Sequence, residues 1–338
     1  LEAARPRNLT AWGIGLALLA GLFLLPSIAP RFYVYLVALI LVRGLLATSL
    51  NLVLGYGGMY QFHHTVFYGV GAYAAALVIT KTELSPWLGF LAGPLAAAVL
   101  SFVMGLICVR LSKLYFGMLQ ISLGSLVWAI VFRWYSFTGG DDGIHNIPLP
   151  PAIASITGSY YFTLIVTLVS LALMYLIVNS AFGRVFQAVR DNQERCETVG
   201  VPVKRHQLVG LVLAGLFGGV SGVLFVTVEG TVFPDLMFWT LSLEVLIMCL
   251  LGGWFTFLGP MLGAAIIVIL RTVVGIYTEY WTFFLGVILM LLIFFLPDGV
   301  LGYFSQRLSR GQSLAGRQGL VRDQGLAAGT EPAAPKEG

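Results

Sequence analysis

The chain is 338 residues long, 58% hydrophobic and only 10% charged, with a mean hydropathy of +0.91. Soluble domains carry about 25% charged residues, so this balance excludes a soluble enzyme and a disordered scaffold, and the 19 scattered basic residues exclude a nucleic-acid binder. The net charge of +4 names no partner, and Cys108, Cys196 and Cys249 lie too far apart in sequence to suggest a disulfide framework or a zinc site.

A hydrocarbon core asks for about 20 apolar residues per helix, and lipid admits only helices or closed barrels. The alternation of a barrel is absent. Arg5 and Arg7 ahead of the apolar run Ala11 to Leu25 resemble a signal peptide. The run ends in Pro26-Ser27-Ile28-Ala29-Pro30 without a small-x-small cleavage site, so it reads as a retained first span. Helices are expected near 12–29, 34–54, 64–80, 87–110, 114–137, 160–179, 207–228, 241–255, 260–275 and 282–296, which makes about ten, with 55–63 as a broken or re-entrant piece. Residues 1–306 read as one transmembrane domain, and 307–338, rich in Gly, Ala, Gln and charge, as a disordered cytoplasmic tail.

Two connections are more than linkers. The loop 138–159 carries Gly139-Gly140-Asp141-Asp142-Gly143 and then Pro148, Pro150 and Pro151, which is turn chemistry, and reads as a structured external loop. The loop 181–207 places Phe182, Val185, Phe186, Val189 and Cys196 at approximately helical spacing, with Arg184, Gln187, Arg190, Asp191 and Glu194 between them, an amphipathic cytoplasmic helix stopped near Gly200-Val201-Pro202. Most basic residues face the cytoplasm when both termini are placed there, while Asp141, Asp142, Glu229 and Asp235 fall outside.

Little in the spans suggests bond-making chemistry. His63 and His64 are adjacent, so on a helix they diverge by about 100° and cannot chelate as an i, i+4 pair can, which leaves no metal site. Asp141 and Asp142 read as a solvated turn or a partner contact. Arg133 can snorkel from the end of its span, Glu244 can cap the first turn of its helix, and Arg43 with Asn51 fits either packing or a pathway. The glycines say more: Gly55, Gly57 and Gly58 interrupt one apolar segment, and Gly252, Gly253 and Gly259-Pro260 interrupt another in the second half. Broken helices at corresponding positions of two halves point to a transport pathway built on inverted repeats. Small residues around Gly69, Gly71 and Ala72, and around Gly215, Gly218, Gly219 and Gly222, suit close helix packing.

Four stretches in order carry a resemblance: Asn51 through Gly58 and His64 to Tyr73; Thr138 to Gly143; Phe182-Gly183-Arg184 with Arg190-Asp191-Asn192 and Glu197-Thr198-Val199-Gly200; and Leu251-Gly252-Gly253 with Gly259-Pro260. They span about 34 to 300 and resemble the LivM-like permease subunits of branched-chain amino-acid ABC importers. The resemblance implies an all-α polytopic permease fold in a bacterial inner membrane. It implies ATPase coupling through Arg184, Arg190, Asp191, Asn192, Glu197 and Gly200, a translocation pathway along Asn51, Gly55, Gly58, Tyr60, Gln61, His63 and His64, and binding-protein docking on Gly139, Gly140, Asp141, Asp142 and Gly143. It further implies a second, LivH-like permease, two cytoplasmic ATPases that carry ATP and Mg, and a periplasmic binding protein. No phosphate-cradling Gly-rich Lys-Ser/Thr loop occurs, so nucleotide belongs to another chain. Where the family commonly has Gly-Gln-x-Ser-Leu-Gly-His, this chain has Gly58-Met59-Tyr60-Gln61-Phe62-His63-His64, a bulkier segment that leaves the solute open among hydrophobic amino acids, small amides and aromatic acids. The rival reading is an autonomous channel or ion-coupled carrier.

Overall fold

A computed structural model describes residues 9–82, 85–111 and 113–277, with Tyr280, Phe283, Phe284, Gly286, Val287 and Met290 beyond them. Twelve helices follow in chain order: α1 Leu9–Ile28, α2 Arg31–Asn51, α3 Thr65–Lys81, α4 Pro86–Cys108, α5 Lys113–Arg133, α6 Tyr135–Thr138, α7 Ile156–Asn179, α8 Ala181–Asp191, α9 Gln193–Thr198, α10 Val203–Glu229, α11 Trp239–Gly252 and α12 Gly259–Tyr277. Nine of the ten expected helices are in place. The tenth, 282–296, falls largely outside the described residues, as does the tail beyond 307. Among the described residues there is no strand, only an isolated bridge between Ile144 and Val232.

Six of these segments are long and apolar enough to cross a membrane alone, among them Arg31–Tyr56, Pro86–Cys108, Ile156–Asn179 and Val203–Glu229. Two of the shorter ones, α3 with 17 residues and α11 with 14, are about 26 and 21 Å long, short of a hydrocarbon core of about 30 Å. The missing length is supplied by non-helical chain at 57–64 and by the loop 230–238 with its 3₁₀ turn Pro234–Met237. Irregular backbone at such depth survives only inside protein, and both pieces are largely enclosed: Gly57, Met59, Gln61, His63 and His64 are buried, as are Pro234, Leu236 and Met237.

The helices come close because small residues let them. A Cβ on Gly71 would lie 2.5 Å from the Gly219 Cα, one on Gly222 2.0 Å from the Tyr68 carbonyl oxygen, and one on Gly93 2.6 Å from the Gly71 carbonyl oxygen. Thus α3, α4 and α10 pack backbone against backbone, the packing role expected for these glycines. Across α2, the Ser221 hydroxyl donates to the Val42 carbonyl (2.8 Å) and the Cys249 thiol to that of Ala47 (3.1 Å), so α10 and α11 are both tied to α2.

Beyond earlier starts for α7 and α10, at Ile156 and Val203, three features differ from the sequence reading. α5 stops at Arg133, and Trp134 breaks the chain before α6, whose Thr138 hydroxyl bonds the carbonyls of Val131 (2.6 Å) and Trp134 (2.8 Å). The amphipathic helix expected over 181–207 is two helices: extended Asn192 ends α8, and its side chain accepts from the Arg195 N–H (2.9 Å) as the N-cap of α9. Glu244 sits in the second turn of α11, is buried, and lies 3.7 Å from Arg271, so it is an ion-pair partner and not a cap.

Replacing Gly222 by Val forces α3 and α10 apart. We expect a loss of about 2 kcal/mol or more, visible as an earlier thermal transition in detergent. Gly21→Ala, where nothing lies within 4 Å of the added carbon, should leave the transition where it is.

Candidate functional site

The two breaks meet. α2 widens at its end into a π-turn, Leu52–Tyr56, a form that leaves carbonyls free and recurs at functional sites. Gly57 then closes the helix, and Gly58 takes a φ of +64°, open to glycine at little cost. The second break opens at Gly253, with a φ of +107°, and runs to Gly259. Asn51 on the first donates its amide to the Thr256 carbonyl on the second (3.3 Å), and a Cβ on Gly55 would lie 2.2 Å from the Trp254 carbonyl oxygen. Only glycine fits there.

α8 is anchored on this junction. Its buried face carries Gly183, Phe186 and Val189, while Arg184, Ala188 and Asp191 are exposed. The Phe186 ring fills the space that side chains on Gly57 and Gly210 would occupy. One turn on, Arg190 Nη1 donates to the Gly55 carbonyl at 2.7 Å, and its guanidinium lies over the Phe255 ring at 5.4 Å. The Asp191 carboxylate accepts from Nε (3.0 Å) and Nη2 (2.8 Å), which fixes the plane of the fork. One side chain therefore holds α8, the first break and the second break together. A cavity of about 850 Å³ opens beside it, lined by Gly58, Arg190, Asp191, Asn192, Glu197 and Lys204.

Further along 57–64 the side chains turn into the bundle. His63 Nε2 lies 2.7 Å from the Met237 carbonyl and Nδ1 3.2 Å from that of Ile121. The Ser49 hydroxyl donates to Leu46 O (2.7 Å), so it accepts from Nε2–H of His64 (2.8 Å), and that tautomer leaves the buried Nδ1 lone pair unpartnered. Thr65 at the start of α3 binds Ser242 of α11 through both N–H (3.1 Å) and hydroxyl (2.6 Å). Both amide atoms of Gln61 are buried without a hydrogen-bond partner, whereas Tyr60 is exposed.

Of the residues singled out in the sequence, the structure thus gathers Asn51, Gly55, Gly58, Arg190, Asp191, Asn192 and Glu197 at one end, with Gln61, His63 and His64 deeper. Arg184 stands on the exposed face of α8, and Gly200, with φ +88°, forms an open turn. Gly139 to Gly143 lie apart, near the loop that follows α10. Gly139, Gly140 and Gly143 all have positive φ, and Ile144 pairs with Val232 through N–H···O contacts of 2.8 and 2.9 Å. Lys81 donates to the Ser136 (3.0 Å) and Phe137 (2.6 Å) carbonyls, and Asp141 and Asp142 stand exposed on this braced platform.

One residue escaped the sequence reading. Gln120 on α5 is fully buried with neither amide atom partnered. It lies between Gly117, where a Cβ would meet the Phe62 ring, and Gly124, where one would meet the His63 ring, so α5 presents it toward the first break. A lone glutamine in an apolar helix was the available signal.

The family model for the branched-chain amino acid transport system permease component matches residues 32–294. The chain belongs to this permease family. The permease is similar to the high-affinity branched-chain amino acid transport system permease protein LivM of Escherichia coli K12, 25% identical over 82% of this chain and 71% of that protein. A probable LivM of Methanocaldococcus jannaschii is 26% identical over 79% and 82%, and the permease protein LivH of Salmonella typhimurium 25% over 76% and 90%. No solved structure matches. The permease is a multi-pass membrane protein whose relatives are transport subunits.

An arginine bonded to a buried carbonyl contributes about 1.5–3 kcal/mol. Arg190→Gln should therefore raise amide exchange over α8 roughly tenfold or more in nanodiscs, with exchange over α7 unchanged.

Proposed function

We propose that this chain is one permease half of an ATP-driven importer that moves a small solute, a hydrophobic amino acid or a related amide or aromatic acid, into the cytoplasm by alternating access. The observation that carries this reading is the bond from Arg190 to the Gly55 carbonyl, which connects an amphipathic surface helix directly to both helix breaks. Two cytoplasmic ATPases, holding ATP and Mg, would seat on α8 and α9, where Arg184, Asp191, Asn192 and Glu197 are exposed. Their closure would push Arg190 and so displace the breaks. Such coupling requires that the ATPases bind the two permease states with different affinity.

The braced platform at Gly139 to Gly143 suits docking of a periplasmic binding protein at the opposite end of the bundle. Residues Tyr60, Gln61, His63 and His64, with Gln120, are assigned to the pathway, because unpartnered buried amides are costly unless a ligand or water meets them. Similarity to both LivM and LivH supports a paralogous second permease as pore partner. Both termini lie in the cytoplasm in this reading, in keeping with the basic residues on the α8 side.

The test is reconstitution in nanodiscs with candidate paired permease, ATPase and binding-protein chains, followed by ATP hydrolysis. Stimulation by the loaded binding protein is expected. Because Gly200 has φ +88°, which proline cannot adopt, Gly200→Pro combined with Glu197→Ala should reduce the stimulated rate about tenfold or more while the complex still assembles. Solute flux through the chain alone, with no ATPase bound, would replace this reading with an autonomous channel or carrier.

A further inference from the structure

Four charged residues from four helices converge on one cleft near the end of the bundle opposite α8. The cleft has a volume of about 390 Å³ and is lined by Tyr35 and Arg43 of α2, Glu229 of α10, Glu244 of α11, Arg271 of α12, and Phe233. Charges within spans are expensive and mark function by default, and the way these four pair is unequal. Glu229 accepts from the Tyr35 hydroxyl at 2.5 Å, and Glu244 lies 3.7 Å from Arg271. Arg43, twelve residues into α2 and thus about 18 Å along it, is 92% buried, yet among the described residues it makes no hydrogen bond or ion pair. Its one partner among the described residues is the face of Tyr68, 5.9 Å away.

A purely structural network would bring a carboxylate onto the most buried cation, because an unpaired buried charge costs several kcal/mol. Here the carboxylates stand elsewhere in the cleft. The cleft thus offers a cation in need of an anion and, on two other helices that line it, two carboxylates able to accept from an ammonium. Phe225, Phe233, Leu36 and Val268 complete the wall with apolar surface, and the volume falls in the range of small-molecule sites.

We propose that this cleft binds a small zwitterion, its anionic group on Arg43 and its ammonium between Glu229 and Glu244, with an apolar tail against Phe225 and Phe233. A free hydrophobic amino acid and the headgroup of phosphatidylethanolamine share this chemistry. The site is separate from the break at 55–64, and the charge argument stands whether or not an ATPase drives the chain.

The experiment uses the full chain with its paired permease in nanodiscs, without ATPase, and measures binding of radiolabelled leucine, leucinamide and 4-methylpentanoate in phosphatidylcholine and in phosphatidylethanolamine. In phosphatidylcholine, leucine should bind about tenfold or more tighter than either singly charged analogue, and Arg43→Gln and Glu244→Gln should each lose that preference in a folded chain, Glu244→Gln with an earlier thermal transition because Arg271 loses its carboxylate. If Arg43→Gln does not fold, Arg43→Lys and Glu244→Gln carry the test. Leucine binding suppressed by phosphatidylethanolamine, with that lipid retained by the wild-type chain in native mass spectrometry, identifies the headgroup as occupant of the same site. Three probes binding equally, or none binding with no lipid retained in a folded chain, overturns the proposal. Either result leaves the ATPase-coupling test untouched.

Discussion

The arrangement depends on one hydrogen bond between a surface helix and a carbonyl freed by a π-turn. In a regular helix the Gly55 carbonyl would be taken up four residues on. Widening at Leu52–Tyr56 and the stop at Gly57 leave it to Arg190. The same guanidinium lies over Phe255, so an amphipathic helix, the end of α2 and the turn between α11 and α12 share one side chain. The planar fork, fixed by Asp191, suits this role in a way a flexible ammonium would not.

The membrane explains why such breaks need so much support. Each unsatisfied backbone group in lipid costs several kcal/mol, so a helix can open only where other protein meets the exposed groups. Glycine provides that closeness: Gly55 against Trp254, Gly57 against Phe186, Gly252 against Gly259. The polar side chains of the first break are likewise answered by neighbours, His63 by the carbonyls of Ile121 and Met237, His64 by Ser49 and Thr65 by Ser242. Gln61 and Gln120 have neither amide atom answered, and His64 Nδ1 and Asn51 Oδ1 also lack a partner; the glutamines and His64 lie where the pathway is assigned.

Much of this was legible in the sequence for physical reasons. The places of nine apolar helices followed from apolar run length, although only six segments among the described residues are long and apolar enough to cross a membrane alone, and both breaks followed from glycines inside otherwise apolar segments. α8 followed from the spacing of Phe182, Phe186 and Val189. What stayed hidden depended on contacts far apart in the chain. That Arg190 bonds main chain 135 residues away leaves no mark in local pattern, since a carbonyl carries no residue identity. Glu244 resembled a helix cap because its partner, Arg271, lies on another helix. The division of α8 from α9 turned on Asn192, whose capping role was masked by the charged residues around it.

If Arg190 is the linchpin, α8 and both breaks move as one body when nucleotide binds to the assembled transporter. Spin labels at Arg184→Cys on α8 and Leu258→Cys in the second break, on a background without the native cysteines, report on this directly. The account requires their distance distribution to stay the same between nucleotide-free and ATP-bound complexes, while either label shifts relative to one on the Asp141 platform. A change in the Arg184 to Leu258 distance, with the breaks fixed relative to the platform, would mean that α8 slides over the junction, and the central claim would be wrong.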